Sequence, residues 1–101
     1  MVVSSRITFN TEQLAEICRR YHVRELSLFG SVLRDDYRYD SDIDVLVEFE
    51  PDARIGFFGL AQLQRELTSL FGRPVDVVPK KGLNPTIRQS VLTTSEVIYA
   101  V

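Results

Sequence analysis

The sequence predicts a small α/β domain, built as a mixed four-stranded sheet flanked by helices. Apolar residues recur at helical spacing in two long segments, whereas four short segments have strand-like patterns. Helical and strand segments also alternate along the chain. Its 101 residues, 45% of them hydrophobic, are enough to bury one compact core. We therefore expect a single domain over residues 1–101.

The first half of the chain is predicted to contain a helix and two strands. The helix begins at Asn10 or Thr11 and has an apolar face. That face consists of Leu14, Ile17, Cys18 and Tyr21. A strand follows over Val23–Phe29 and ends at Gly30. The second strand runs over Ile43–Phe49, where apolar residues alternate with a row that starts with carboxylates.

The second half is predicted to contain two helices and two strands. A longer helix ends at Gly72, a favourable C-cap residue. Its apolar stripe is expected to be core and consists of Phe57, Leu60, Leu63, Leu67 and Leu70. A strand follows over Val75–Val78, and after a loop Asn84 and Pro85 begin a short helix that continues to about Val91. A final strand is expected over Glu96–Val101.

Composition and charge exclude several classes of protein. The chain carries 12 Lys and Arg against 14 Asp and Glu, with a pI near 5.3, so its overall field does not favour a nucleic-acid backbone. We expect no direct DNA binding. The apolar runs are too short to span a bilayer, so we also expect no membrane segment. Cys18 is the single cysteine and cannot form an internal disulfide, which favours a reducing, cytoplasmic location.

Gly30 and Ser31 form a candidate phosphate site. They stand where the first strand gives way to a predicted short helix that contains Val32, Leu33 and Arg34. Such a junction presents free backbone N–H groups and the positive end of a helix dipole, and glycine permits close approach. Ser31 could equally cap the helix, because capping and phosphate binding use the same geometry.

Asp42 and Asp44 form a candidate metal site with Asp76. The strand period of two places Asp42 and Asp44 on one face, where their charges repel unless a cation lies between them. Carboxylate oxygens suit Mg²⁺ or Mn²⁺. Asp76, in an otherwise apolar strand, becomes the third ligand if the two strands are neighbours. As an alternative to metal binding, Asp42 and Asp44 could be solvated acidic residues that favour a turn at the start of the strand. Asp76 could be an exposed residue of an edge strand.

These motifs together resemble a known family. The segments Leu28–Arg34, Asp40–Phe49 and Val75–Val78 resemble the nucleotidyltransferases of the DNA polymerase beta superfamily. They are most similar to the minimal nucleotidyltransferase (MNT) antitoxins that pair with HEPN-domain toxins. The resemblance extends from about Leu14 to Tyr99 and includes the spacing of Gly-Ser, ten residues and Asp-x-Asp. It implies the polymerase-beta-like nucleotidyltransferase fold.

The resemblance also implies a chemistry, the two-metal transfer of a nucleoside monophosphate from ATP with release of pyrophosphate. Two Mg²⁺ ions, or Mn²⁺, would be held by carboxylates, and the triphosphate by the Gly-Ser junction and an arginine. The residues implied for the metals are Asp42, Asp44 and Asp76, and those for the triphosphate are Gly30, Ser31 and Arg34. Asp76 would bind the ion that activates the acceptor hydroxyl.

The acceptor implied by the resemblance is a tyrosine of a HEPN ribonuclease toxin. The chain would act as an antitoxin in a hetero-oligomer and silence the toxin by adenylylation. Two alternatives remain open, neutralisation by binding alone and transfer to a small molecule or RNA. The sequence departs from many relatives at Asp35 and Asp36, which follow the arginine and add negative charge near the expected triphosphate.

Several charged or reactive residues have two interpretations. Arg34 either binds phosphate or neutralises its acidic neighbours. Lys80, Lys81 and Arg88 either flank the nucleotide or form a solvated rim. Cys18 is expected in the core rather than as a nucleophile.

Overall fold

A computed structural model of the chain describes residues 2–4, 7–29 and 42–101. The predicted short helix near residue 33, together with Gly30, Ser31 and Arg34, lies outside these ranges. In chain order the elements are β1 (Val2–Ser4), β2 (Ile7–Thr8), α1 (Thr11–Arg20), β3 (Val23–Phe29), β4 (Ile43–Phe49), α2 (Phe57–Phe71), β5 (Val75–Pro79), α3 (Pro85–Thr94) and β6 (Glu96–Ala100). A 3₁₀ turn, Lys80–Gly82, joins β5 to α3.

The main sheet has four strands in the order β5-β4-β3-β6. β4 and β5 are parallel, and β3 is antiparallel to both of its neighbours. The predicted mixed four-stranded sheet is therefore confirmed. A short β1–β2 hairpin was not predicted, because strands of three and two residues are too short to show a period of two.

The ends of the helices follow the predicted capping chemistry. The Asn10 side chain accepts a hydrogen bond from the Gln13 amide at 3.0 Å and caps α1. Asn84 caps α3 in the same way, through the Thr86 amide at 2.9 Å. Gly72 ends α2 with φ of 72°, a left-handed conformation that glycine adopts without steric cost. These three predicted helix ends are confirmed.

One face of the sheet packs against α1 and α2 and forms the core. Its most completely buried side chains are Leu14, Cys18, Val23, Leu26, Leu28, Ile43, Val45, Val47, Leu63 and Leu67. They come from both helices and from the two central strands, β3 and β4, which matches the predicted apolar faces. None of the described helices combines the length and the apolar character needed to cross a membrane.

The apolar stripe of α2 is correct for Leu63 and Leu67 but wrong for Phe57. Both leucines are fully buried, whereas Phe57 and its neighbour Phe58 are each 85% exposed. Phe57 is the first residue of α2. The apolar period of the helix includes Phe57, but the part of the helix that packs against the sheet does not. The structure therefore corrects Phe57 from a core residue to a surface residue.

The outer edges of α1 and α2 are joined by one polar cluster. The Glu66 carboxylate accepts hydrogen bonds from the Tyr21 hydroxyl and the Arg20 guanidinium. Arg20 also lies 3.6 Å from Glu16, one turn earlier. Both hydrogen bonds lower the pKa of Glu66, and the bond from Tyr21 has a larger effect than the bond from Arg20. Because these groups are largely exposed, their interactions contribute little to the free energy of unfolding. Their main effect is on the relative orientation of α1 and α2.

The buried thiol of Cys18 provides a test of the core. Burial raises its pKa from 9.0 to about 12, so at pH 8 the native protein should hold about a thousandfold less thiolate than an exposed, unperturbed thiol would. We expect a thiol-reactive dye to label Cys18 very slowly in the native protein and rapidly in denaturant. Fast, stoichiometric labelling of the native chain would contradict the packing of α1 on the sheet.

Candidate active site

The parallel register of β4 and β5 brings two carboxylates side by side. Asp44 on β4 pairs with Asp76 on β5. The register begins where the Ile43 amide donates to the Pro74 carbonyl at 2.9 Å, and it continues for five residue pairs. Adjacent strands lie about 4.8 Å apart, so the two side chains start at neighbouring positions on the sheet.

Both carboxylates lie on the face of the sheet opposite the core. Their strand neighbours Ile43, Val45 and Val75 are buried against the helices, and side chains alternate between faces along a strand. Asp76 is exposed and Asp44 is partly exposed. The condition set by the sequence for Asp76, that its strand lies beside the strand of Asp44, is met by this register. β5 is also an edge strand of the described sheet and Asp76 is exposed, so the alternative of an exposed edge-strand position describes Asp76 as well, and its role as a ligand stays a prediction.

Asp42 is placed differently from the other two aspartates. It is exposed and lies immediately before the first residue of β4. Within the described residues, no three acidic, histidine or cysteine side chains are gathered as a group that could hold a metal ion. Closely placed carboxylates repel one another when no cation lies between them, so convergence of Asp42 on the pair would accompany metal binding. Its role as a ligand stays a prediction.

The donor atoms nevertheless fit the predicted metal. Asp42, Asp44 and Asp76 offer only carboxylate oxygens, the hard ligands preferred by Mg²⁺ and Mn²⁺. Mg²⁺ takes few protein ligands and completes its shell with water and substrate phosphate. An exposed pair on one sheet face, with a third carboxylate at the start of the strand, leaves room for such a shell.

The end of β3 lies beside the same carboxylates. Phe29, its last residue, pairs with Asp44, and Gly30 is the next residue in the sequence. The chain therefore leaves the sheet next to the acidic pair when it enters the segment predicted to bind phosphate. The positions of Gly30, Ser31 and Arg34 lie outside the described residues, so their role stays a prediction.

A second charged cluster occupies the other end of this face and was not predicted. Glu25 pairs with Glu48 across β3 and β4. Lys80, just after β5, lies 3.5 Å from Glu25 and 3.2 Å from Glu48. Like charges on facing strand positions repel each other and need a cation near them. The pairing of Glu25 with Glu48 could have been recognised from the sequence only once the strand register was known. Lys80 is therefore a sheet-bridging residue.

The mixed sheet, the helices on one face and the paired carboxylates on the other together define a nucleotidyl-transfer enzyme. The chain matches the nucleotidyltransferase domain family over residues 11–97. It belongs to that family, and the fold and family predicted from the sequence are confirmed.

Individual relatives agree with this assignment. The protein adenylyltransferase MntA of Thermococcus cleftensis is 37% identical over 97 residues, which cover 96% of this chain and 91% of the relative. The structure of a minimal nucleotidyltransferase aligns with a TM-score of 0.69 and 36% identity, covering 84% and 85% of the two chains. An MNT antitoxin in complex with a tri-AMPylated HEPN toxin from Shewanella oneidensis aligns with a TM-score of 0.64 and 20% identity, covering 90% and 70%.

Replacement of Asp76 tests the carboxylate pair without measuring activity. In chelator, Asp76→Asn should be as stable as the parent or a few tenths of a kcal/mol more stable, because it removes a like charge opposite Asp44. With Mg²⁺ at ten times its dissociation constant, the parent should gain about 1.4 kcal/mol, or about 6–7 °C in Tm. The variant should gain much less.

Thermal melts with and without the ion measure both effects. The matched control is Asp52→Asn, which changes an exposed aspartate in the turn after β4 and should leave the Mg²⁺ response intact. Equal stabilisation of the Asp76 variant and the parent by Mg²⁺ would remove Asp76 from the metal site.

Proposed function

We propose that this chain is a Mg²⁺-dependent protein adenylyltransferase that transfers AMP from ATP to a tyrosine of a HEPN toxin and thereby acts as its antitoxin. The observation that carries the proposal is the in-register pair of Asp44 and Asp76 on the exposed sheet face. Similarity to a protein adenylyltransferase over nearly the whole chain supports the type of transfer. The fold shared with an MNT antitoxin, crystallised with an AMPylated HEPN toxin, supports the partner.

Some of the predicted site residues are proposed to bind the metal ions, and others are proposed to bind the triphosphate. Asp42, Asp44 and Asp76 would hold the ions, Asp76 binding the one that activates the acceptor hydroxyl. Gly30, Ser31 and Arg34 would hold the triphosphate. Bound Mg²⁺ would neutralise the charge that develops on the phosphate oxygens and lower the pKa of the acceptor hydroxyl. Neutralisation and positioning account for most of the catalysis in phosphoryl-type transfer.

The covalent change is one displacement at the α-phosphorus of ATP. The tyrosine oxygen forms a bond to the α-phosphorus as the bond from that phosphorus to the bridging oxygen breaks. Pyrophosphate leaves with the bonding electrons, and the phenolic proton passes to the Asp76 carboxylate or to water. The products are an AMP ester of tyrosine and pyrophosphate. We place this reaction in the cytoplasm, where the lone thiol of Cys18 stays reduced.

Transfer of label from α-labelled ATP to a HEPN protein co-expressed with this chain tests the proposal directly. The parent with Mg²⁺ should label the partner, whereas Asp42→Asn/Asp44→Asn should reduce labelling by at least about a thousandfold, because charge stabilisation of the transition state is lost. Asp52→Asn, with the same change in an exposed turn, should label at the parental rate.

Two other outcomes distinguish the alternatives. A stable complex that suppresses the ribonuclease without any transfer of label would favour an antitoxin that acts by binding alone. Transfer to RNA or to a small molecule, with none to the HEPN protein, would favour the third function considered from the sequence.

A further inference from the structure

A pocket lies at the end of β4 farthest from the aspartates. It has a volume of about 390 Å³ and is lined by residues of the β4 end, the following turn, the β5 end and α3. Ile55 and Pro79 contribute apolar surface. Three cations, Lys80, Lys81 and Arg88, stand against the two carboxylates Glu48 and Glu50, so the lining carries one positive charge in excess. The lining includes β4 from Val47 to Phe49, three to five residues from Asp44, which is about 10–17 Å along the strand.

Two exposed phenylalanines follow Ile55, a residue of the pocket wall, closely in the sequence. Phe57 and Phe58 begin α2 and follow Ile55 by two and three residues, so the Phe57 Cα lies within about 7 Å of the Ile55 Cα. At 85% exposure each, they present on the order of 300 Å² of aromatic surface. Isolated exposed apolar residues are ordinary, but a contiguous patch of this size usually marks an interaction site.

Ile55 is held in place by close contact with the first turn of α2. A Cβ added at Gly59 would lie 3.0 Å from the Ile55 Cγ2 atom, a distance that forces one of the two groups to move. The absence of a side chain at Gly59 therefore lets Ile55 pack against the helix. This contact fixes the pocket wall relative to Phe57 and Phe58.

The cations beside the phenylalanines differ from Lys80. Lys80 is neutralised by Glu25 and Glu48. Lys81 and Arg88 are exposed, and neither forms a salt bridge to a carboxylate in the described part of the chain. In a protein with a net charge of −2, two such cations beside an aromatic pair form a local site for an anionic, apolar partner.

We propose that Phe57, Phe58, Lys81, Arg88 and the adjoining pocket form a docking surface for the toxin, and that it binds an acidic segment of the toxin with exposed apolar side chains. We call these residues the aromatic–basic surface. The proposal rests on the proposed function, because that function supplies the toxin as partner. It goes further by separating the docking surface from the carboxylates that carry out the transfer.

A second copy of this chain fits the surface less well. A two-fold contact places the same patch of both copies together, so two pocket linings that each carry three cations against two carboxylates would face each other. Like charges facing each other oppose association. An acidic partner removes this repulsion and still buries the phenylalanines, which are residues typical of interface hot spots.

Affinity for the HEPN protein tests the apolar part of the surface. Phe57→Ser/Phe58→Ser should weaken binding by at least about tenfold, because buried aromatic side chains commonly dominate an interface. The double variant should retain the Mg²⁺-dependent rise in Tm, which depends on the distant aspartates. Val101→Ser is the matched control, because Val101 is 82% exposed and follows β6, at the opposite edge of the sheet from β5. It should bind as the parent does.

Association kinetics test the charged part. Lys81→Glu/Arg88→Glu should slow association by about tenfold at low salt, and the difference from the parent should shrink as salt screens the charges. Arg19→Glu reverses the charge of an exposed arginine near the end of α1 and should have much less effect.

The outcomes separate docking from chemistry. If label transfer fails but binding still depends on the aromatic–basic surface, the docking proposal stands and the proposed transfer is wrong. If the serine double variant binds the toxin with parental affinity, the docking proposal is wrong even where transfer occurs. A concentration-dependent homodimer that Phe57→Ser/Phe58→Ser abolishes, with toxin binding unchanged, would assign the surface to a second copy and also overturn the proposal.

Discussion

The in-register parallel pairing of β4 with β5 is the constraint on which the rest of the site depends. A slip of one residue would turn Asp76 toward the core and Val75 or Val77 toward water. Full burial of a valine or isoleucine contributes about 1.5–3 kcal/mol, whereas repulsion between facing carboxylates costs at most about 1 kcal/mol. The apolar row therefore determines the register, and the aspartates are held together even though their charges oppose it. The geometry of the candidate metal site is in this sense a consequence of core packing.

The exposed face of the sheet is divided electrostatically along β4. At one end Asp44 and Asp76 form an acidic pair that favours a cation. At the other end Glu25 and Glu48 make the same like-charged arrangement, but Lys80 lies within 3.5 Å of both carboxylates. Lys80 thus balances the like charges at this end of the face. At the other end the sequence predicts a metal ion beside the aspartates.

The sequence was most informative where local chemistry determines local structure. The caps at Asn10 and Asn84, the end of α2 at Gly72 and the bounds of β3 and β4 follow from capping groups and from alternation, so they could be predicted. The exposure of Phe57 could not, because a helical period does not show how far the sheet beneath it extends. The pairing of Glu25 with Glu48 required the strand register, which no single segment encodes. The predicted convergence of Asp42 with the other aspartates would require a bound cation between their charges, so the chain alone does not determine it.

Separation of docking and transfer explains how so small a domain could act selectively on a protein. Binding energy accelerates a reaction when it is used to place the reacting groups. On the proposed arrangement the partner's binding energy comes mainly from Phe57 and Phe58, close to a pocket at the end of β4 that begins about 10 Å from Asp44 along the strand. That strand is pinned on both sides by hydrogen-bonded neighbours, so a partner held at one end presents its tyrosine over the other within a narrow range of positions. The docking surface could then change with the partner while the register of Asp44 and Asp76 stays the same.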